Sequence, residues 1–301
     1  MAERFLLHDH RGFRHPGPVE PLSKQAIRQV VKAALAEDLG AGDVTTRATV
    51  PRPCRSQAVM VAREPLVLAG LALAEAAFRL CSPRVEIRLR TADGATLRRG
   101  DEVLRLSGPV WALLAAERVA LNFVQRLSGI ATLTARFVAA VAGTGAGILD
   151  TRKTTPGWRR LEKYAVTCGG GRNHRFGLFD QVLIKDNHLA ALRDCRPNAI
   201  VAAVLRARAR YPRLPVEVEA DTLAQVRQAV AAGADIILLD NMTLAQLRAA
   251  VALVGGRAKT EASGGVRLEH VRAIARTGVD FISVGALTHS ARAVDIALDF
   301  R

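Results

Sequence analysis

The feature that most constrains this fold is a change of rhythm near Ile148. From there, short, mainly apolar runs alternate with amphipathic helices. The runs are Ile148–Leu149, Val182–Ile184, Val216–Val218, Ile236–Leu239, Thr260–Ala262 and Phe281–Val284. Strands without polar alternation are buried on both faces, and helices between them make the sheet parallel. An internal repeat points the same way. Thr222-Leu-Ala-Gln-Val-Arg-Gln-Ala-Val230 recurs as Thr243-Leu-Ala-Gln-Leu-Arg-Ala-Ala-Val251, and Gly233–Asp240 aligns with Gly278–Gly285. In each unit Thr or Asp is expected to cap the helix start, and Gly233, Gly255 or Gly278 to close its end. The expectation is an α/β chain built on an α/β barrel or a near relative. A doubly wound open sheet would want a phosphate loop such as GxGxxG after a strand, and the chain has none.

The first half reads differently. Residues 1–20 lack periodicity and hold His8, His10 and His15, which suits a solvated terminus better than a metal site. Ser23–Leu39 has apolar residues at helical spacing. Residues 55–110 read as short strands around one helix, Leu71–Leu80. Gly94–Val103 is a strand-turn-strand without the turn lysine of a cofactor-carrying domain. Trp111–Val141 reads as helix, with a break expected at Gly129.

Charge narrows the partners. The formal net charge is +15, and only six of the 43 basic residues are lysine. Aromatics are 4% and no nucleic-acid motif is present, so base stacking is poorly served. The charge is also concentrated. Between Arg152 and Arg175 stand Arg152, Lys153, Arg159, Arg160, Lys163, Arg172 and Arg175, against Glu162 alone. That favours a small anionic substrate. Four cysteines without CxxC spacing imply a reducing compartment. The longest uncharged stretch is interrupted by Gly143, Gly145 and Gly147, and the N-terminus offers only Phe5-Leu6-Leu7 as an apolar core. A membrane span and an export signal are therefore not expected, and the cytoplasm is.

In a parallel barrel the reactive groups sit where the strands end. Those ends read Asp150-Thr151-Arg152-Lys153, Lys185-Asp-Asn-His188, Glu217-Val-Glu219, Asp240-Asn241, Ser263-Gly264-Gly265 and Val284-Gly285-Ala286. The last two loops offer bare N–H groups for a phosphate. Glu219 and Asp240 could hold sugar hydroxyls, directly or through Mg²⁺. Lys153 and Lys185 could neutralise a diphosphate, while Arg152, Arg175 and His174 could clamp carboxylates. Phosphoribosyl diphosphate beside a dicarboxylate fits this set. Cys168, Trp158 and Tyr164 read as packing residues, and Asp43 as a turn former. His188 could face the site or satisfy local backbone.

The stretch ILDTRKTTPGWRRLEKYAVTCGGGRNHRFGLFDQVLIKDNH (148–188) resembles the signature of the quinolinate phosphoribosyltransferase family. Further stretches extend the resemblance: EDLGAGDVTT (37–46), ERVALNFVQRLSGIATLT (117–134), VEVE (216–219), LLDN (238–241), SGGV (263–266) and SVGALTHS (283–290). The resemblance implies an N-terminal α/β sandwich over 21–130 and an incomplete barrel over 131–290. It further implies a C-terminal helix over 291–301 packing back on the N-terminal domain. It implies a homodimer or larger assembly whose partner donates Arg118 to the substrate. Arg152 and Arg175 would hold the same carboxylates, with Thr151, Lys153 and His174 beside them. Lys153 and Lys185 would also face the diphosphate. Glu219 and Asp240 would bind ribose and Mg²⁺, and the loops 263–265 and 284–286 the 5′-phosphate.

The implied reaction joins quinolinate to the ribosyl group, then loses CO₂, giving nicotinate mononucleotide for NAD biosynthesis. Two rival readings remain at this stage. One is the molybdenum-transport-associated paralogue, which would not need the Arg118, Arg152, Arg175 set. The other is a basic nucleic-acid-binding protein, which leaves carboxylates beside phosphate loops unexplained.

Overall fold

The computed structural model describes residues 22–51 and 53–301, so the expected flexible segment 1–20 lies outside the described residues. The described chain forms two compact units. One holds residues 22–136, 154–171 and 287–301; the other holds 137–153 and 172–286. The division differs from the expected boundaries near 130 and 290 chiefly in that residues 154–171 join the first unit.

The first unit begins with α1 (Lys24–Leu39), α2 (Val44–Thr49), β1 (Arg55–Ala62), β2 (Leu66–Val67) and α3 (Leu71–Cys81). It continues with β3 (Glu86–Leu89), β4 (Thr96–Leu97), β5 (Glu102–Pro109) and α4 (Val110–Ala140). The Ser23 hydroxyl accepts from Ala26 N at 3.2 Å, capping α1 as its sequence anticipates. Asp43 does the same for α2 through Thr46 N at 2.9 Å.

The expected C-terminal helix is a strand instead. Ile296–Phe300 (β12 in chain order) pairs antiparallel with β1, with Leu298 opposite Met60. It completes a four-stranded sheet of order β12-β1-β5-β3. Ile296 and Leu298 are buried while Ala297 and Asp299 are half-buried, the alternation of a strand with one face on the core. The segment does return to the N-terminal sheet.

The break expected at Gly129 is also absent: α4 runs 31 residues without interruption. Glycine stands there for packing, because a methyl group would overlap the Arg292 carbonyl oxygen. A backbone atom cannot rotate away. Gly129→Ala is therefore expected to destabilise the fold by about 1–3 kcal/mol despite alanine's better helix propensity. A melting curve followed by circular dichroism checks this, and an unchanged or raised midpoint contradicts it.

The chain then gives β6 (Gly147–Leu149), α5 (Arg159–Cys168), β7 (Val182–Ile184), α6 (Asp186–Ala190) and α7 (Ala199–Arg210). Next come β8 (Val216–Ala220), α8 (Leu223–Ala231), β9 (Ile236–Asp240) and α9 (Leu244–Val254). Last before β12 are β10 (Lys259–Ser263), α10 (Leu268–Ala275), β11 (Phe281–Ser283) and α11 (Ala286–His289). All six apolar runs are strands of one parallel sheet, ordered β6-β11-β10-β9-β8-β7. This is the six-stranded, incomplete barrel. At the β6 edge Arg172 N donates to Ile148 O at 2.8 Å and Arg172 O accepts from Asp150 N at 3.1 Å, so the 172 segment extends that edge.

The repeated helices begin alike. Thr222 with Gln225, and Thr243 with Gln246, form reciprocal capping boxes. The third unit departs from the expectation, since Arg267 at the N-cap of α10 makes no side-chain cap. Among the described residues no helix is long and apolar enough to cross a membrane.

Candidate active site

Six parallel strands pointing one way bring their carboxyl ends to one rim. Thr151, Arg152 and Lys153 follow β6, and Lys185 follows β7. Glu219 lies near the end of β8, Asp240 ends β9, and Ser263 ends β10. Val284 and Gly285 follow β11, and Ala286 begins α11. Fourteen of the expected positions therefore occupy one end of the second unit, once Gly264 and Gly265 after β10 and His174 and Arg175 from the segment beside β6 are added. Arg118 belongs to the first unit, exposed on α4 seven residues beyond the exposed Trp111 and so on the same helix face.

Lys185 Nζ lies 2.6 Å from Glu219 Oε2, which fixes a cation and a carboxylate side by side at the rim. Asp240 Oδ2 accepts from Asn241 Nδ2 at 2.6 Å. Asn241 N donates to Ser263 O at 3.0 Å. Gly264 has φ +96°, and a side chain there would also overlap the Asn241 amide. The glycine at the tip of this loop is thus required twice, by its left-handed backbone and by the close approach of β9.

The two arginines make the electrostatic core. Arg175 is buried. Burial pulls its guanidinium below the ordinary range, the neighbouring Arg152 charge adds to that, and Glu217 and Asp180 oppose it. A like charge beside a desolvated guanidinium favours a bound anion there, and a planar fork meets a carboxylate with two hydrogen bonds.

A buried polar lattice lies behind Arg175. Asp150 accepts from His174 N at 2.8 Å and from Asn173 Nδ2 at 2.7 Å, tying this segment to the end of β6. Arg175 N donates to His174 Nδ1 at 2.7 Å. His174 Nε2 lies 3.0 Å from Glu217 Oε2 and 3.5 Å from Glu261 Oε2. Gln181 Nε2 donates to Glu217 Oε2 at 2.6 Å. Burial, then the charge of Glu217, pushes the Glu261 carboxyl up to about 8, with His174 acting in the opposite sense. Sequence reading gave no role to Asp150, Asn173, Gln181, Glu217 or Glu261. A usable signal existed: Glu261 stands in the middle of an apolar run read as buried on both faces, and Glu217 shares a strand face with Glu219.

The secondary candidates settle as packing and caps. Trp158 stacks on Phe123 with centroids 5.2 Å apart, and Tyr164 Oη donates to Asp93 Oδ2 at 2.7 Å. Burial pushes the Cys168 thiol up to about 12, so it is no nucleophile at neutral pH. His188 Nδ1 accepts from Lys185 N at 3.0 Å. The cations of 152–175 divide between the units: Arg159, Arg160 and Lys163 lie on α5 in the first, and Arg152, Lys153, Arg172 and Arg175 in the second.

A six-stranded parallel barrel with paired arginines, a lysine–carboxylate pair and glycine loops on one rim is the layout of an enzyme for anionic substrates. Family models describing the quinolinate phosphoribosyl transferase N-terminal and C-terminal domains match residues 43–128 and 130–299. The chain belongs to the quinolinate phosphoribosyltransferase family. It is 47% identical over 282 residues to the nicotinate-nucleotide pyrophosphorylase (carboxylating) of Mycobacterium leprae, covering 91% of this chain and 97% of that one. It is 44% identical over 275 residues to a probable enzyme of the same name from Bacillus subtilis, covering 91% and 93%. The solved nicotinate-nucleotide pyrophosphorylase of Francisella tularensis superposes with a TM-score of 0.88 at 37% identity, covering 94% of this chain and 99% of that one. The transport-associated and nucleic-acid readings gain no support from these relatives.

Proposed function

We infer that this chain is a decarboxylating phosphoribosyltransferase. It converts quinolinate and phosphoribosyl diphosphate to nicotinate mononucleotide, CO₂ and diphosphate, a step of NAD biosynthesis. The substrate assignment is supported by the charge of Arg152 set against the buried Arg175 and by the Lys185–Glu219 pair at the carboxyl ends of the same parallel sheet. One subsite wants carboxylates, and its neighbour wants a charged leaving group with a polyhydroxylated sugar.

In this reading Arg152 and Arg175 hold the quinolinate carboxylates, with Thr151 and His174 alongside and Arg118 supplied by a second copy of the chain. The assembly is a homodimer or larger, working in the cytoplasm. The Gly264–Gly265 and Val284–Gly285–Ala286 loops, with Ser263, take the 5′-phosphate. Glu219 and Asp240 hold the ribose hydroxyls. Their oxygens at a water-facing rim also fit a hard cation that keeps several waters, which when bound would offset diphosphate charge as Mg²⁺ does.

The pyridine nitrogen attacks the anomeric carbon as the bond to diphosphate breaks. Lys153 and Lys185 stabilise the charge gathering on the leaving oxygens, and Glu219 and Asp240 stabilise the cationic sugar. The nitrogen is then quaternary. The bond from C2 to its carboxylate breaks, CO₂ leaves, and the electron pair stays at C2 beside the positive nitrogen until a proton arrives. No side-chain nucleophile is required, and positioning supplies much of the rate.

Purified protein with Mg²⁺ and both substrates should release CO₂ and form nicotinate mononucleotide. Nicotinate, lacking the second carboxylate, should react with a kcat/KM lower by about 10³-fold or more, because a buried cation is left unpaired. No product from quinolinate, or equal use of nicotinate, overturns the assignment.

A further inference from the structure

Beneath the arginines, His174, Glu217 and Glu261 place ligand-type atoms within 4.8 Å of one another, and all three are buried. Such a trio could hold a metal ion or a proton. The backbone decides between them. Arg175 N donates to His174 Nδ1, so that nitrogen carries no hydrogen. The ring hydrogen must then sit on Nε2, the atom aimed at the two carboxylates. A metal at Nε2 would have to displace that hydrogen and leave the imidazole without one. A proton between the carboxylates asks for no such change.

The donor count agrees. Two donors, His174 Nε2–H and the Gln181 amide, both point at Glu217 Oε2. Glu217 Oε1 and both Glu261 oxygens are buried and lack a well-formed hydrogen bond, although the Ser283 hydroxyl and His174 Nε2 face Glu261. Two ionised carboxylates in that arrangement would strand acceptors in a desolvated core. The groups facing Glu261 are Glu217 on β8, His174 beside β6, Ser283 on β11 and Asp150 after β6. Arg175 in turn lies within electrostatic reach of Glu217.

We propose that Glu261 is held protonated as a donor to Glu217, and that this buried pair acts through His174 to fix Arg175 at the substrate. His174 is then a positioning residue: both ring nitrogens serve the protein, and its backbone neighbour carries the guanidinium. The role in catalysis rests on the quinolinate reading; the protonation state does not.

Three measurements test it. Nitrogen NMR of the free enzyme should show His174 as the neutral Nε2–H tautomer; an imidazolium or an Nδ1–H tautomer overturns the proposal. The second is the melting temperature against pH. A carboxyl raised above its unfolded value of 4.5 to about 8 is protonated when folded and ionised when unfolded, so its contribution to stability falls between those pH values and is flat above. Glu261→Gln should therefore melt with the parent near pH 4.5 and about 5 °C or more above it at pH 8. Parallel curves overturn the protonated state, as does stoichiometric Zn²⁺ or Mn²⁺ binding by the parent that Glu261→Gln abolishes. The third is kinetic. His174→Gln and Glu261→Leu should raise KM for quinolinate about tenfold and leave KM for phosphoribosyl diphosphate unmoved, with Glu261→Gln, which can still donate, raising it less. Equal effects on both substrates count against positioning of Arg175 even if the first two results hold.

Discussion

Arg175→Ala is expected to lower kcat/KM for quinolinate by about 10³-fold or more, because it removes a desolvated, charge-assisted contact worth roughly 4 kcal/mol or more. The loss should fall on quinolinate. Lys185, Glu219 and Asp240 keep their places, so KM for phosphoribosyl diphosphate should change little. Arg175→Lys should recover only part of the loss, since an ammonium is a point charge without the planar fork. Arg175 also balances Glu217, so its removal leaves a buried carboxylate less compensated and lowers stability. Steady-state kinetics in both substrates, beside a melting curve, separate the two effects. A variant that folds and keeps most of its quinolinate turnover would remove Arg175 from the site.

The second large effect tests the proposal that two copies of the chain share each site. Arg118→Ala and Lys185→Ala should each be nearly inactive and each fold, since both side chains are exposed on their own units. Mixed after dissociation, the two variants form hybrids in which one site gathers both substituted residues and the other gathers none. About a quarter of the parent activity should return in an equal mixture, the share of intact sites in randomly paired two-fold dimers. No rescue after verified exchange would place Arg118 outside its partner's site. Rescue by Arg118→Ala mixed with itself would point to incomplete inactivation.

Much of the fold was legible because its signals are local. Each of the six apolar runs is a strand, and the repeated Thr-x-x-Gln starts are capping boxes, because periodicity and capping are decided within a few residues. The rim residues followed, since they stand one or two positions after those runs. Three features were misread or missed, and each depends on a distant partner. Gly129 looked like a helix breaker until Arg292 stood against it. The last residues looked like a helix, but β1 offered an edge far earlier in the chain, pairing Ala62 with Ile296 and Met60 with Leu298. Glu217 stands in VEVE (216–219), where nothing local marks its burial, and Glu261 lies in no motif.

By itself, then, the sequence determined the alternation of strand and helix, the rim positions of Arg152, Lys153, Lys185, Glu219 and Asp240, and the kind of ligand such charges suit. Only the tertiary structure decided how the rim is underpinned. It brought His174, Glu217 and Glu261 together from three separate segments and set Asp150 as the strut that holds Asn173 and His174. Desolvation depends on everything that surrounds a group, not on its neighbours in the chain, so a carboxyl that must keep its proton is invisible until the core closes over it.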